Sequence, residues 1–420
     1  MAQRKGNVIY LKANDVFFEY VHLKNQELHR YGRGENPELN AFRYLAKGQW
    51  VNFSENIWVL DLRKLNAKGY NCSGTSELNN IGCFYEYEKD EIHGFRREAL
   101  DKLQADWDFY QCNVEDYHRD GNASFDKVYL YLQANPNDLN VAISVGSHYG
   151  LFLEDSSVDS IKVKGFGTGG ITLIGTCSVK DCRIDIAGGS QVIGKSVSEF
   201  VCLGNGIDFW LNRSSSDCII EGNYISRCYD CGCSIQASAC GQATPHNIVF
   251  QKNLISNCCQ GWEDFLRNDP NVMFENCRFQ NNCVIYAGIS GFGYPKSRKK
   301  KCNVLGNNYL GDRGMVIKNN VFIGGNYYCS GAYEGKYRSN KWEGNIHYVQ
   351  RGAYILSNYS GTEDVLEIPK KGHPSNIIKK YRELTNDKTT KFIICDSNEI
   401  ESLSTKAKDK FIRQHGFKQK

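Results

Sequence analysis

Ile219-Ile220-Glu221-Gly222-Asn223-Tyr224-Ile225 is followed by Ile248-Val249-Phe250-Gln251-Lys252-Asn253-Leu254-Ile255. The same plan returns in Val272-Met273-Phe274-Glu275-Asn276-Cys277-Arg278-Phe279 and in Val316-Ile317-Lys318-Asn319-Asn320-Val321-Phe322. Lys341-Trp342-Glu343-Gly344-Asn345-Ile346 closes the series. Each copy is a short strand rich in β-branched residues, a polar residue or two, an Asn or Gly turn, and a second short strand. Self-similarity of this kind outranks every other signal in a sequence. The anchoring asparagines are read as Asn223, Asn253, Asn276, Asn320 and Asn345, separated by 30, 23, 44 and 25 residues, so the long gap is expected to hold two coils and a loop.

A rung of roughly 22 to 25 residues fits one turn of a parallel β-helix, within the range of solenoid repeats. Asn and Gly suit the bends, because both tolerate left-handed backbone. Stacked asparagines can then exchange amide hydrogen bonds along the axis. The leucine-rich pattern L-x-x-L-x-L is missing, and an antiparallel propeller would need hairpins and a longer repeat. The chain is therefore expected to be all-β, a right-handed single-stranded parallel β-helix with a mixed N-terminal region and a short helical C-terminal cap.

Working outward, Val128-Tyr129-Leu130-Tyr131, Val141-Ala142-Ile143-Ser144-Val145, Ile161-Lys162-Val163-Lys164 and Ile171-Thr172-Leu173-Ile174 read as earlier strands of the same stack. Residues 1–125 read as a β-rich region with the first coils, 126–368 as the helix proper and 369–420 as a helical cap. In the last segment, 375–384 and 402–414 are candidate helices. A cap is expected because an open coil end exposes unpaired strand edges.

The chain has 420 residues, 40 Gly, only 7 Pro and 41% hydrophobic residues, which describes an ordered, turn-rich protein rather than a disordered one. A formal net charge of +4 is small for this length and argues against a nucleic-acid partner. The run Ser297-Arg298-Lys299-Lys300-Lys301 reads as a solvated loop. No apolar stretch approaches the ~18 residues of a membrane span. Eighteen cysteines do not form C-x2-C knuckles, and many fall at coil-core positions, where a thiol acts as a small hydrophobe. No metal and no cofactor is expected, and the oligomeric state is left open. Met1-Ala2-Gln3-Arg4-Lys5-Gly6 shows no apolar leader, which reads as cytoplasmic as given, or secreted if a leader precedes it.

Successive coils set equivalent residues about 4.8 Å apart, so outward side chains on one sheet form lines that an extended glycan can follow. Three segments superimpose: Gly204-Asn205-Gly206-Ile207-Asp208-Phe209-Trp210, Cys233-Ser234-Ile235-Gln236 and Gln260-Gly261-Trp262-Glu263-Asp264-Phe265. With Ile207, Ile235 and Trp262 inward, Asp208, Gln236 and Glu263 share one outward column, with Gln236 in the middle. An isolated surface acid is ordinarily only solvated. Here both acids sit among apolar rings, which raise a carboxyl toward the range a general acid needs. Asp208 and Glu263 are the candidate catalytic pair, and Asp230 is balanced between a turn residue and a third carboxylate. Trp210, Gln236, Arg267, Asn268 and His148 are candidate sugar contacts. Asp264 is expected to be inward and hydrogen-bonded. No nucleophile elbow, phosphate loop or calcium-binding Asp cluster is present.

These residues resemble the pectate-lyase-like superfamily of right-handed β-helix proteins, particularly its glycoside-hydrolase-like members. Gly204-Asn205-Gly206-Ile207-Asp208-Phe209-Trp210 is similar to the family's G-N-G-I-[ED]-[FL]-W, and Tyr229-Asp230 with Gln236 to its Y-D…Q. Gln260-Gly261-Trp262-Glu263-Asp264-Phe265-Leu266-Arg267-Asn268 is similar to its Q-S-F-E-Y-W-N-R. Tyr31-Gly32-Arg33-Gly34-Glu35-Asn36-Pro37, Asn56-Ile57-Trp58, Trp107-Asp108-Phe109-Tyr110 and Asn135-Pro136 resemble its earlier passages. Ile289-Ser290-Gly291-Phe292-Gly293-Tyr294 departs from it, standing where the family carries a histidine. The resemblance implies a carbohydrate-active role. The reading is a glycoside hydrolase on an extended polysaccharide, with a polysaccharide lyase or uronate epimerase and a non-catalytic glycan-binding solenoid as alternatives.

Overall fold

Strands of two to seven residues alternate with tight bends, and through most of the chain a strand pairs with its equivalent one coil away rather than with its chain neighbour. The structure, a computed structural model, describes residues 2–65, 67–68, 80–111, 125–145, 149–189, 204–210, 215–237, 244–266, 273–288, 302–306, 314–325, 328–330, 340–358 and 366–417. Three sheets of ten strands each run the length of a parallel β-helix. One coil shows the order: Ser216–Glu221 in sheet I, Tyr224–Cys228 in sheet II, Cys231–Ala237 in sheet III, then His246–Gln251 back in sheet I.

The interior is built from stacked columns. In sheet I, Leu28, Val158, Val179, Ile220, Phe250, Phe279, Ile317 and Trp342 follow one another in register. In sheet II the column is Leu39, Val163, Ile184, Ile225, Ile255, Val284, Phe322, His347 and Phe392. Both columns lie in or against one continuous apolar core. Full burial of each such side chain stabilises by roughly 1.5–3 kcal/mol, so every coil carries its own share of the driving force.

An asparagine ladder closes the bend between sheets I and II, but its members differ from the expected set. They are Asn223, Asn253, Asn282, Asn320 and Asn345, and each Nδ2 donates to the next Oδ1 at 2.9–3.1 Å. Each also donates to a backbone carbonyl of the preceding strand, such as Asn282 to Phe250 at 3.0 Å. Asn276 is at an exposed turn instead, with φ of 53°. The steps are 30, 29, 38 and 25 residues, so the expected double coil between residues 276 and 320 is one coil with a long excursion. The left-handed position is also displaced. It belongs to the residue before each rung asparagine (Gly222, Lys252, Asn281, Asn319, Gly344), which frees the asparagine amide to face along the axis.

Lys127–Tyr131 and Val141–Val145, read from the sequence as early coil strands, do not join the stack. Lys127–Tyr131 pairs antiparallel with Ile57–Asp61, and Val141–Val145 pairs antiparallel with Ile81–Glu86. The first coil ends at Glu38–Asn40, residues 42–145 form two separate five-stranded sheets, and the helix resumes with Tyr149–Glu154 on Val21–Lys24. Short local patterns announce a strand without naming its partner, which explains the difference. The insert packs its own core, with Trp50, Phe84, Phe109, Leu130 and Ile143 buried. It meets the helix where Gly189 and Gly82 touch, a Cβ on Gly189 falling 1.9 Å from the Gly82 Cα. Arg227 reinforces that junction, donating to Asp185 of sheet II at 2.8 Å and to Asp90 of the insert at 2.8 Å.

Only part of the C-terminal segment caps the stack. Helix α1, Ser375–Thr385, buries Tyr381 in the main core, and Lys391–Ile394 adds a last strand to sheet II. Helix α2, Ser397–His415, lies along the outside of sheet II. There it covers Leu254, Ile285 and Ile323, and Leu403, Ala407 and Phe411 pack on them. Its start is fixed by a capping box in which Asp396 and Glu399 exchange bonds at 2.8 Å. Its end reaches back to Asp181, 2.8 Å from His415 Nδ1. The cysteines whose side chains are described are free and, Cys283 apart, buried. Among the described residues no helix is long and apolar enough to cross a membrane.

Candidate active site

The outward column of sheet III runs Phe152, Thr172, Asp208, Ser234, Glu263. Asp208 and Glu263 therefore share a face two rungs apart, about 9–10 Å between backbones. Gln236 is not the residue between them. Ile207 is matched by Cys233 rather than Ile235, so Ser234 takes the middle position. A shift of two residues keeps the same side outward. Gln236 consequently still faces this way, beside Trp210 and Phe265 in the register, and its Nε2 donates to Glu263 Oε2 at 2.9 Å.

The column is more enclosed than a solvated glycan face. Asp208 is 2% exposed, while Glu263, Gln236 and Asp230 keep 7–8%. Thr172 Oγ1 donates to Asp208 Oδ1 at 2.6 Å, and Asn205 Nδ2 reaches Oδ2 at 3.4 Å. Asn205 also bridges to Ser234 Oγ at 3.3 Å and accepts from the Cys231 backbone N–H at 3.2 Å. Burial pushes the Asp208 carboxyl up to about 6; the two donors pull it down, and the charge of Asp230 adds to the rise. Tyr149 joins this group: burial and the Asp208 charge push its phenol up, against a hydrogen bond with Thr172. Asp230 and Glu263 both act on the buried thiol of Cys231, which burial drives well above its ordinary range. Asp230 thus lies within electrostatic reach of Asp208, and Asp230 and Glu263 both within reach of Cys231.

Asp264 points inward, as expected, fully buried and accepting from Trp262 Nε1 at 2.9 Å and Asn340 Nδ2 at 2.8 Å. His148, Arg267 and Asn268 lie outside the described residues, as does the side chain of Trp210. Sequence reasoning overlooked Thr172, Asn205 and Ser234. Thr172 was legible: Ile171-Thr172-Leu173 repeats the inward-outward-inward pattern of Ile207-Asp208-Phe209, one coil earlier.

No family model and no curated protein matches the chain. Among solved structures, it is similar to XylC in complex with xylose, at 11% identity and a TM-score of 0.36, covering 92% of this chain and 77% of that one. It is also similar to a glycoside hydrolase at 11% identity and 0.35, covering 80% and 89%. A GH136 lacto-N-biosidase from Eubacterium ramulus matches at 8% identity and 0.30, covering 92% and 60%. Likeness this slight carries nothing about activity, and the fold rests on the strand pairing itself.

Proposed function

We propose that the chain is a glycoside hydrolase that binds an extended polysaccharide along sheet III and cleaves it with Asp208 and Glu263 as the acid/base pair. The observation that carries this reading is the buried, protonatable Asp208 in line with Glu263 two rungs away. A carboxyl raised to about 6 keeps its proton into the mildly acidic range and can deliver it to a leaving glycosidic oxygen. Glu263, oriented by Gln236, would activate water from the other side. Two rungs set the backbones about 9–10 Å apart, a value that overlaps the ~6.5–9.5 Å carboxyl separation of inverting enzymes and exceeds the ~5 Å of retaining ones. Asp230 is held in reserve as a third carboxylate, and Trp210, Gln236, Arg267, Asn268 and His148 are the proposed sugar contacts.

A lyase or epimerase would need a base, commonly Lys or Arg, in the same column. From Phe152 to Glu263 the described column holds neither. The test is a polysaccharide panel with reducing-end detection, repeated with Asp208→Asn and Glu263→Gln. Hydrolysis by the parent and its loss in both variants is expected. Hydrolysis that survives Asp208→Asn overturns the assignment, ultraviolet-absorbing unsaturated products favour the lyase, and binding without product favours a glycan-binding solenoid.

A further inference from the structure

In the insert, Ile81–Glu86 and Glu91–His93 form a hairpin in which Glu86 stands directly across from Glu91. Like charges placed opposite one another destabilise a strand pair unless something compensates. Lys89 compensates one oxygen only, 2.8 Å from Glu86 Oε1. The other side of the pair faces His93, whose Nε2 is 3.6 Å from Glu86 Oε2 and 3.5 Å from Glu91 Oε2. That nitrogen is buried and makes no hydrogen bond. Its ring is fixed by a parallel stack on Trp107, 4.1 Å between centroids at 5°.

We infer that Glu86, Glu91 and His93 form a binding site for a divalent transition-metal ion, zinc being the best match. One ligand atom from each residue lies within 4.8 Å of the others. Ligands on a tetrahedral zinc with bonds of 2.0–2.1 Å are about 3.3–3.4 Å apart. The two separations measured from His93, 3.5 and 3.6 Å, need only a few tenths of an ångström of closure. Two carboxylates and an imidazole suit zinc and its neighbours among the divalent ions. Water would complete the coordination on the side of Glu91, which is exposed.

The site is independent of the sheet III column. Its consequence is mechanical: the hairpin turn carries Asp90, which accepts from Arg227 on the helix at 2.8 Å. An ion that ties Glu86 to Glu91 stiffens the hairpin that holds the insert in place.

The test is titration of the full chain, stripped with a chelator, with zinc against a chromophoric competitor. One site is expected, weakened at least tenfold in Glu91→Gln and in His93→Gln, with the circular dichroism of both variants unchanged. Cobalt substitution separates this site from the thiols, since carboxylate and imidazole ligands give no thiolate charge-transfer band. Absence of a site, equal affinity in Glu91→Gln, or a thiolate band would each overturn the proposal. Glu91 is exposed, so that variant keeps the test sound should His93→Gln disturb folding.

Discussion

Thr172 and Asp208 sit side by side on adjacent rungs, and the threonine hydroxyl donates a 2.6 Å hydrogen bond into the carboxyl group proposed as the acid. The bond favours the ionised form and opposes the rise caused by burial. Thr172→Val should therefore move Asp208 above about 6, carrying the alkaline limb of the pH–rate profile upward. A carbon-13 NMR titration of Asp208 reads the same shift without turnover. A fall in the value would contradict the role given to Thr172.

Asp208 also makes stability depend on pH. Its folded pKa, about 6, exceeds the ordinary 3.8, so the folded state holds a proton that the unfolded chain releases. That stabilisation is complete below about 3.8 and lost as pH rises through about 6. Two units correspond to on the order of 2–3 kcal/mol. Asp208→Asn, which has no charge to desolvate, should be more stable than the parent at pH 8 and nearly equal at pH 4. Urea midpoints at the two values measure it.

His347 acts in the opposite direction. It occupies an inward position of sheet II, stacked on Phe322 at 4.5 Å and on Phe392 at 5.1 Å, and burial pushes its pKa down to about 3. The unfolded chain takes up a proton that the folded one refuses, so stability falls as pH drops from 6.5 toward about 3. His347→Phe should reduce the acid sensitivity of the last coils, read as a smaller change in melting temperature between pH 7 and pH 4.5.

The ladder makes a sharp contrast between two asparagines. Asn282 donates to Asn320 and Phe250 and accepts from both the backbone and the side chain of Asn253. Asn282→Ala strands those donors in the core and should cost about 2–4 kcal/mol. Asn276→Ala, at an exposed turn, should change stability by less than about 0.5 kcal/mol. Equal losses in denaturant melts would refute the ladder as described.

The coil was legible because its period is carried by side-chain type. Alternation such as Ile207-Asp208-Phe209 sets one residue out and two in whatever the loops do. Loops were what hid the rest. Asn276 and Asn282 lie six residues apart around one short strand, and only the pairing shows which one is stacked. Gln236 and Ser234 have the same parity, so alternation cannot choose between them. Lys127–Tyr131 has good strand chemistry and an antiparallel partner 66 to 74 residues earlier, Tyr131 against Ile57 and Lys127 against Asp61. The acid, imidazole and carboxylate of Glu86, His93 and Glu91 meet only after the hairpin folds, a relation no spacing rule encodes.

Solenoids ordinarily melt from their ends, each rung depending only on its neighbours. Helix α2 alters that rule by touching rungs far apart in the stack, from Ile323 near the C-terminal end to Asp181 through His415. It works as a splint along one flank. The coils beneath it cannot peel away singly, and the terminal half of the protein should open, when it does, as one cooperative block.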